Sequence, residues 1–295
     1  MRTFDYAELQ STLNTLPEGV WRRSMLGRSV CGREIPILIG GQGKNAVVYV
    51  AAHHGMERLT TGILTDFAVE IAEAAKLDGK IDDVPVRALL ANATFYIVPM
   101  LNPDGIEIGL HGPSNDDPRR QALIDMNGSD DFSHWQANAA GVDLNHNYDV
   151  GFEAYSALAA KVGISAGPTR YAGQMPESEP ETAAMANLLR SLRPRLSGVL
   201  SLHTQGEEIF CACDTALSAK CRAVGRRLQG MTGYKMKIPT GLAAYGGLTD
   251  WCIETLRRPA FTLECGRGQN PLPPEDEPDI YARLRGALAA FPLWV

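Results

Sequence analysis

The segment Ala46-Val47-Val48-Tyr49-Val50-Ala51-Ala52 is apolar without a break, and Thr94-Phe95-Tyr96-Ile97-Val98 is nearly so. Short runs with no polar alternation predict strands covered on both faces. Residues 198–202 and 259–263 have the same character and predict two more. Between these runs the apolar period changes. Ile63, Phe67 and Ile71, flanked by Leu64 and Ala68, recur at helical spacing, as do Met185, Leu188, Leu189 and Leu192. Leu217, Cys221, Val224 and Leu228 predict a further helix, and Ile280, Leu284, Leu288 and Phe291 a closing one. The helix around Met185 has a marked start: Ser178-Glu179-Pro180-Glu181 sets Ser three residues before Glu, with Pro in the first turn, the pattern of a capping box. Strands alternating with helices predict a layered α/β fold with a largely parallel central sheet. No repeat, low-complexity tract or Pro/Ser-rich linker divides the chain, so residues 1–295 read as one domain.

Composition narrows the function classes. A net charge of −6 with no basic run argues against a nucleic-acid partner, which needs clustered Lys and Arg to replace counterions on phosphates. The first residues lack the basic-then-apolar pattern of a secretory signal, and no stretch reaches the roughly 18 apolar residues of a membrane span. The expectation is a cytoplasmic protein with no membrane partner; nothing in the pattern specifies an oligomeric state. The six cysteines lack the spacing of a disulfide framework and read as reduced thiols. Cys211 and Cys213, alternate residues on an expected strand, share a face and are not read as a metal grip.

The chemistry gathers at strand ends. Directly after the first apolar run comes His53-His54-Gly55-Met56-Glu57, in which His54 and Glu57 stand at a spacing that can deliver an imidazole and a carboxylate to one metal ion. By itself an HxxE is weak evidence. However, Gly198-Val199-Leu200-Ser201-Leu202-His203 is a second apolar strand ending in a histidine, and Pro259-Ala260-Phe261-Thr262-Leu263-Glu264 a third ending in a glutamate. Parallel α/β sheets bind ligands beyond the carboxyl ends of their strands, so one convergent site accounts for all three endings together. Gly141-Val142-Asp143-Leu144-Asn145-His146-Asn147 adds a polar cluster, and Asn102-Pro103-Asp104-Gly105 reads as a turn with an architectural role.

The blocks AAHHGMERLTTG, VPMLNPDG, GVDLNHNYD, GQMPESEPET, LSLHTQGEEI and RPAFTLECGRG together resemble the zinc metallocarboxypeptidases of the carboxypeptidase A superfamily, in order and over nearly the whole chain. The SLHTQGEE and LECGRGQNPLP segments look most like its bacterial γ-D-glutamyl-meso-diaminopimelate peptidases, which cut cell-wall muropeptides. The resemblance implies a carboxypeptidase-like fold, a three-layer α/β/α arrangement with a mixed, largely parallel central sheet, and one zinc ion per chain on His54, Glu57 and His203. It implies Glu264 as general base and Asp143 as the carboxylate that orients His54. It also implies that zinc polarises the scissile carbonyl and lowers the pKa of its water toward about 7.

Two positions depart from the family. Gln136 stands where the family has Arg or Lys, and can donate a hydrogen bond without charge. His146, after Asn145, stands where carboxypeptidases that grip a terminal carboxylate have Arg, and an imidazole is a shorter and conditionally charged substitute. Tyr245, in a Gly-flanked loop, aligns with the family's substrate-closing tyrosine, and Arg267 is a candidate for binding a substrate carboxylate. The expected function is hydrolysis of a peptide or isopeptide bond in a small peptide or muropeptide. The alternatives are a carboxypeptidase of unusual specificity, a zinc deacylase or esterase, and a non-catalytic binding protein.

Overall fold

In the computed structural model, residues 2–211 and 217–295 are described; Cys213 lies outside them. Ten strands form among these residues: β1 Trp21–Arg28, β2 Glu34–Gly40, β3 Asn45–Ala51, β4 Lys80–Ile81, β5 Val84–Pro85, β6 Ala93–Val98, β7 Leu196–His203, β8 Glu208–Phe210, β9 Lys235–Lys237 and β10 Ala260–Glu264. All but the small β4/β5 pair belong to one eight-stranded sheet, in the order β1-β2-β6-β3-β7-β10-β8-β9. The strands expected from the apolar runs are its four central members, and β6, β3, β7 and β10 run parallel. Antiparallel pairing of β1 with β2, of β2 with β6, and of β10 with β8 makes the sheet mixed.

Burial follows from this order. Central strands β3 and β6 bury almost every residue on both faces, whereas the edge strands β1 and β9 are largely exposed. A strand buried on both faces needs a layer on each side. Helix Leu59–Lys76 packs on β3, and Glu277–Ala290 packs on that helix and on Ser218–Thr232. Helix Pro180–Leu192 lies along β1, and the short helix Leu248–Trp251 on β7 and β10. Tyr49, central on β3, stacks on Phe95 and meets Phe67 and Phe291 edgewise or tilted, so one aromatic cluster joins the sheet to helices from both ends of the sequence.

Two local expectations are corrected. The capping box does not form: Glu179 is the N-cap and makes no side-chain cap bond. Ser178 instead accepts from Asn147 and donates to Glu179, and Glu181 accepts the backbone N–H of Val30, so tertiary partners outcompete the local pattern. Asn102-Pro103-Asp104-Gly105 is the start of helix Pro103–His111, capped by Asn102 with Pro in the first turn. It is architectural as expected, because the Asn102 amide donates to the carbonyls of His53, Gln136 and Ala137 and its oxygen accepts from Gly105.

Candidate active site

β3, β7 and β10 are parallel neighbours, so their carboxyl ends open on the same side of the sheet. In the β10/β7 ladder Glu264 is the register partner of His203. Beyond β3 the chain passes through His54 into a tight turn, Gly55–Glu57, that brings Glu57 back beneath the histidine. Gly55 is required there, since a Cβ would come within 2.2 Å of the Gly105 carbonyl oxygen.

His54, Glu57 and His203 present donor atoms that all lie within 4.8 Å of one another. Glu57 Oε1 is 2.8 Å from His54 Nδ1, Glu57 Oε2 is 3.0 Å from His203 Nδ1, and the two Nδ1 atoms are 3.3 Å apart. Nitrogens bound about 2.0–2.1 Å from one ion at a tetrahedral angle stand roughly 3.3–3.4 Å apart, so the imidazole spacing fits a shared zinc. The tautomer fits as well. His54 Nε2 lies 3.0 Å from Asp143 Oδ1, where its N–H donates, which turns the unprotonated Nδ1 toward Glu57 and His203. Lone pairs converging at this distance call for a cation.

The electrostatics agree with that demand. Burial opposes charge on His54, yet Glu57 and Asp143 outweigh it and hold the imidazole well above the ordinary histidine value. Burial alone would raise the Glu57 carboxyl, but the facing His54 and His203 rings draw it down to about 2. Despite its burial, Asp143 is held well below the usual carboxylate range by His54 and His146. It also accepts the backbone N–H groups of Asn145 and Arg170, both at 3.1 Å. Burial, with like charge from Glu57 and Glu208, pushes Glu264 well above the usual carboxylate value.

A cleft of about 220 Å³ opens over this cluster, lined by His54, His203 and Glu264. Five residues singled out in the sequence line it as well: Gln136, Asp143, Asn145, His146 and Tyr245. The Gln136 side-chain oxygen accepts from the Thr169 hydroxyl, which leaves its NH₂ as the donor. Asn145 Oδ1 accepts the backbone N–H of Leu248. His146 is not poised as a substitute guanidinium: burial lowers its pKa, its ring stacks on Tyr155 at 4.1 Å, and Nδ1 donates to the Tyr245 carbonyl at 2.9 Å. It therefore anchors the Tyr245 loop as a neutral ring. Gly246 closes that anchor, with φ +73° and a position where a Cβ would meet the His146 backbone.

Arg267 is not brought into the cleft. It is mostly exposed, pairs with Glu207 at 2.6 Å, and lines a separate cavity with Asp276, Asp279 and Arg283. Sequence reasoning missed two charged residues that do line the cleft, Arg170 and Asp250. Arg170 sits in an irregular loop at φ +66°, and periodicity carries no signal for it. Asp250 could have been found from its place just after the Gly246-Gly247 pair that follows Tyr245. Cys211 is buried against the Cys221 thiol rather than facing the cleft.

The profile of the zinc carboxypeptidases matches residues 6–283. The chain belongs to the zinc carboxypeptidase family. It is accordingly a zinc metallopeptidase, a hydrolase. It is 31% identical to γ-D-glutamyl-L-diamino acid endopeptidase 1 of Lysinibacillus sphaericus over 293 residues, 98% of this chain and 72% of that protein. It is 26% identical to carboxypeptidase B of Homo sapiens over 260 residues, 82% of this chain and 57% of that protein. Its fold is shared with solved structures. Bovine thrombin-activatable fibrinolysis inhibitor, in complex with tick carboxypeptidase inhibitor, gives a TM-score of 0.73 at 19% identity, covering 98% of this chain and 94% of that one. Murein-tripeptide amidase of Escherichia coli O157 gives 0.55 at 20% identity, covering 95% of each. No helix among the described residues is long and apolar enough to cross a membrane.

Proposed function

We propose that this protein hydrolyses the amide between a γ-D-glutamyl group and a diamino acid in a muropeptide, with one zinc ion on His54, Glu57 and His203 and Glu264 as general base. The observation that carries hydrolysis is the convergence of those three donors, with His54 and His203 lining the same cleft as Glu264. The substrate class rests on the relationship to the Lysinibacillus sphaericus endopeptidase, and on His146, a neutral and already bonded ring where a cationic clamp on a terminal carboxylate would be needed.

Zinc held there would supply Lewis acidity and would lower the pKa of a water toward about 7. Glu264 accepts the proton of the water that attacks the carbonyl carbon, then delivers it to the amine as the C–N bond breaks. The Gln136 NH₂ donates to the oxygen on which negative charge develops, in the place where a preorganised donor stabilises the transition state. Asp143 keeps the His54 tautomer fixed throughout. Tyr245, anchored from behind by His146, supplies a ring and hydroxyl at the mouth of the cleft.

Incubating the zinc-loaded protein with L-alanyl-γ-D-glutamyl-meso-diaminopimelate, a panel of α-linked C-terminal peptides, acyl amino acids and esters, followed by mass spectrometry, tests this reading. Release of the diamino acid is the expected result. Cleavage confined to α-linked C-terminal residues, or to esters and acyl groups, would overturn it.

A further inference from the structure

Two oppositely charged side chains line the cleft without an ion-pair partner among the described residues. Asp250 is largely buried, and the structure gives it a hydrogen bond from the Tyr245 backbone N–H but no ion pair among the described residues. Burial first, then the nearby Glu254, raises its carboxyl to about 6. A carboxylate kept out of water without a cation is an unfavourable arrangement, and an arriving ammonium reverses it. Arg170 is exposed, and its guanidinium likewise has no ion pair among the described residues. Its backbone is fixed, because the N–H donates to Asp143 Oδ2 at 3.1 Å and the carbonyl accepts the Tyr155 hydroxyl at 2.6 Å. Phe210, Pro239, Leu242 and Ala243 line the same cleft and give it apolar surface on which a methylene chain can rest.

We infer that Asp250 and Arg170 form a two-headed specificity site that reads a substrate side chain ending in its own ammonium and carboxylate, as in meso-diaminopimelate, in preference to one ending in an ammonium alone, as in lysine. Asp250 takes the ammonium, and the planar guanidinium takes the carboxylate through paired N–H donors. Asp250 sits in the short helix Leu248–Trp251 after the Tyr245 turn and Arg170 in the loop after Thr169, so each head is read by a separately replaceable element. This inference deepens the proposed function and rests on it for the position of the scissile amide.

Four substrates that share a γ-D-glutamyl group and differ only in the amine component separate the two heads: meso-diaminopimelate carries both, L-lysine the distal ammonium, L-2-aminopimelate the distal carboxylate, and L-norleucine neither. Affinity is measured by calorimetry on zinc-loaded Glu264→Gln protein, and kcat/KM on the zinc-loaded wild type. A charge-assisted hydrogen bond corresponds to roughly tenfold to a hundredfold in affinity, so diaminopimelate should exceed lysine and 2-aminopimelate each by that factor, with norleucine weakest. Adding Asp250→Asn should collapse the ratio of diaminopimelate to 2-aminopimelate, and adding Arg170→Gln the ratio of diaminopimelate to lysine, each while largely sparing the other ratio. Equal binding of the four, or variants that lower all four by the same factor, would overturn the inference. Binding in the expected order with no cleavage of any would leave it standing and overturn the proposed function instead.

Discussion

Replacing Asp143 by Asn is the most searching test of how the metal site is built. In the wild type one Asp143 oxygen accepts from His54 Nε2 and the backbone N–H of Asn145, and the other accepts the backbone N–H of Arg170. An amide of the same size has a single accepting oxygen. If its NH₂ turns toward His54, the imidazole must carry its proton on Nδ1, the atom facing Glu57 and His203, and the ligand lone pair is lost. If the NH₂ turns toward Arg170, two N–H groups meet in a buried place. Either orientation weakens metal binding, and loss of such an outer partner costs about 10–100-fold in affinity, equivalent to about 1.4–2.7 kcal/mol. Competition between the protein and a chelator of known zinc affinity, at one pH with folding verified by circular dichroism, measures the effect. An affinity within about twofold of the wild type would refute the argument that Asp143 sets the His54 tautomer.

Glu264→Gln should lower turnover by about 10²–10⁴-fold while zinc content by elemental analysis stays at the wild-type level; retained activity would remove Glu264 from its assigned role. Burial pushes the Glu181 carboxyl up to about 7, with hydrogen bonds from Val30 and Asn138 only partly opposing it. Because the folded value lies above the unfolded one, this stabilisation is fully present below about pH 4.5 and is lost as pH rises through about 7. Relative to Glu181→Gln, the wild type should therefore lose roughly 2–3 kcal/mol across that interval in urea titrations, and parallel pH profiles for the two proteins would contradict it. Asn102→Ala leaves the His53 and Ala137 carbonyls and the Gly105 N–H without their buried partner, and should lower stability by about 2–4 kcal/mol. A loss below about 0.5 kcal/mol would mean that Asn102 holds nothing in place.

What the sequence revealed tracks how strongly each element is buried. The strands β3, β6, β7 and β10 lie at the centre of the sheet, and their residues are apolar on both faces because both faces are covered. Strand β1, WRRSMLGR, was invisible because an edge strand can carry Arg22, Arg23 and Arg28 toward solvent. His54, Glu57, His203 and Glu264 were legible because they interrupt apolar runs at strand ends, where a polar residue needs a reason. Arg170 belongs to an irregular loop, whose position depends on contacts such as Asp143 with its backbone, and Asp250 to the helix Leu248–Trp251, which is too short to set an apolar period. Arg267 misled for the opposite reason: it follows Glu264 closely in sequence, but the chain turns away and Glu207 captures it.

Asp143 holds more than the imidazole. The same carboxylate that steadies His54 also clasps the peptide of Arg170, and its own N–H is bound to the carbonyl of Tyr171. The loop proposed to meet the far end of a substrate and the ring proposed to hold the cation are thus moored to one post. Lengthening or rebuilding that loop to suit a different cargo would tug on the metal's nearest support, so changes of diet in this scaffold should leave a trace in zinc retention.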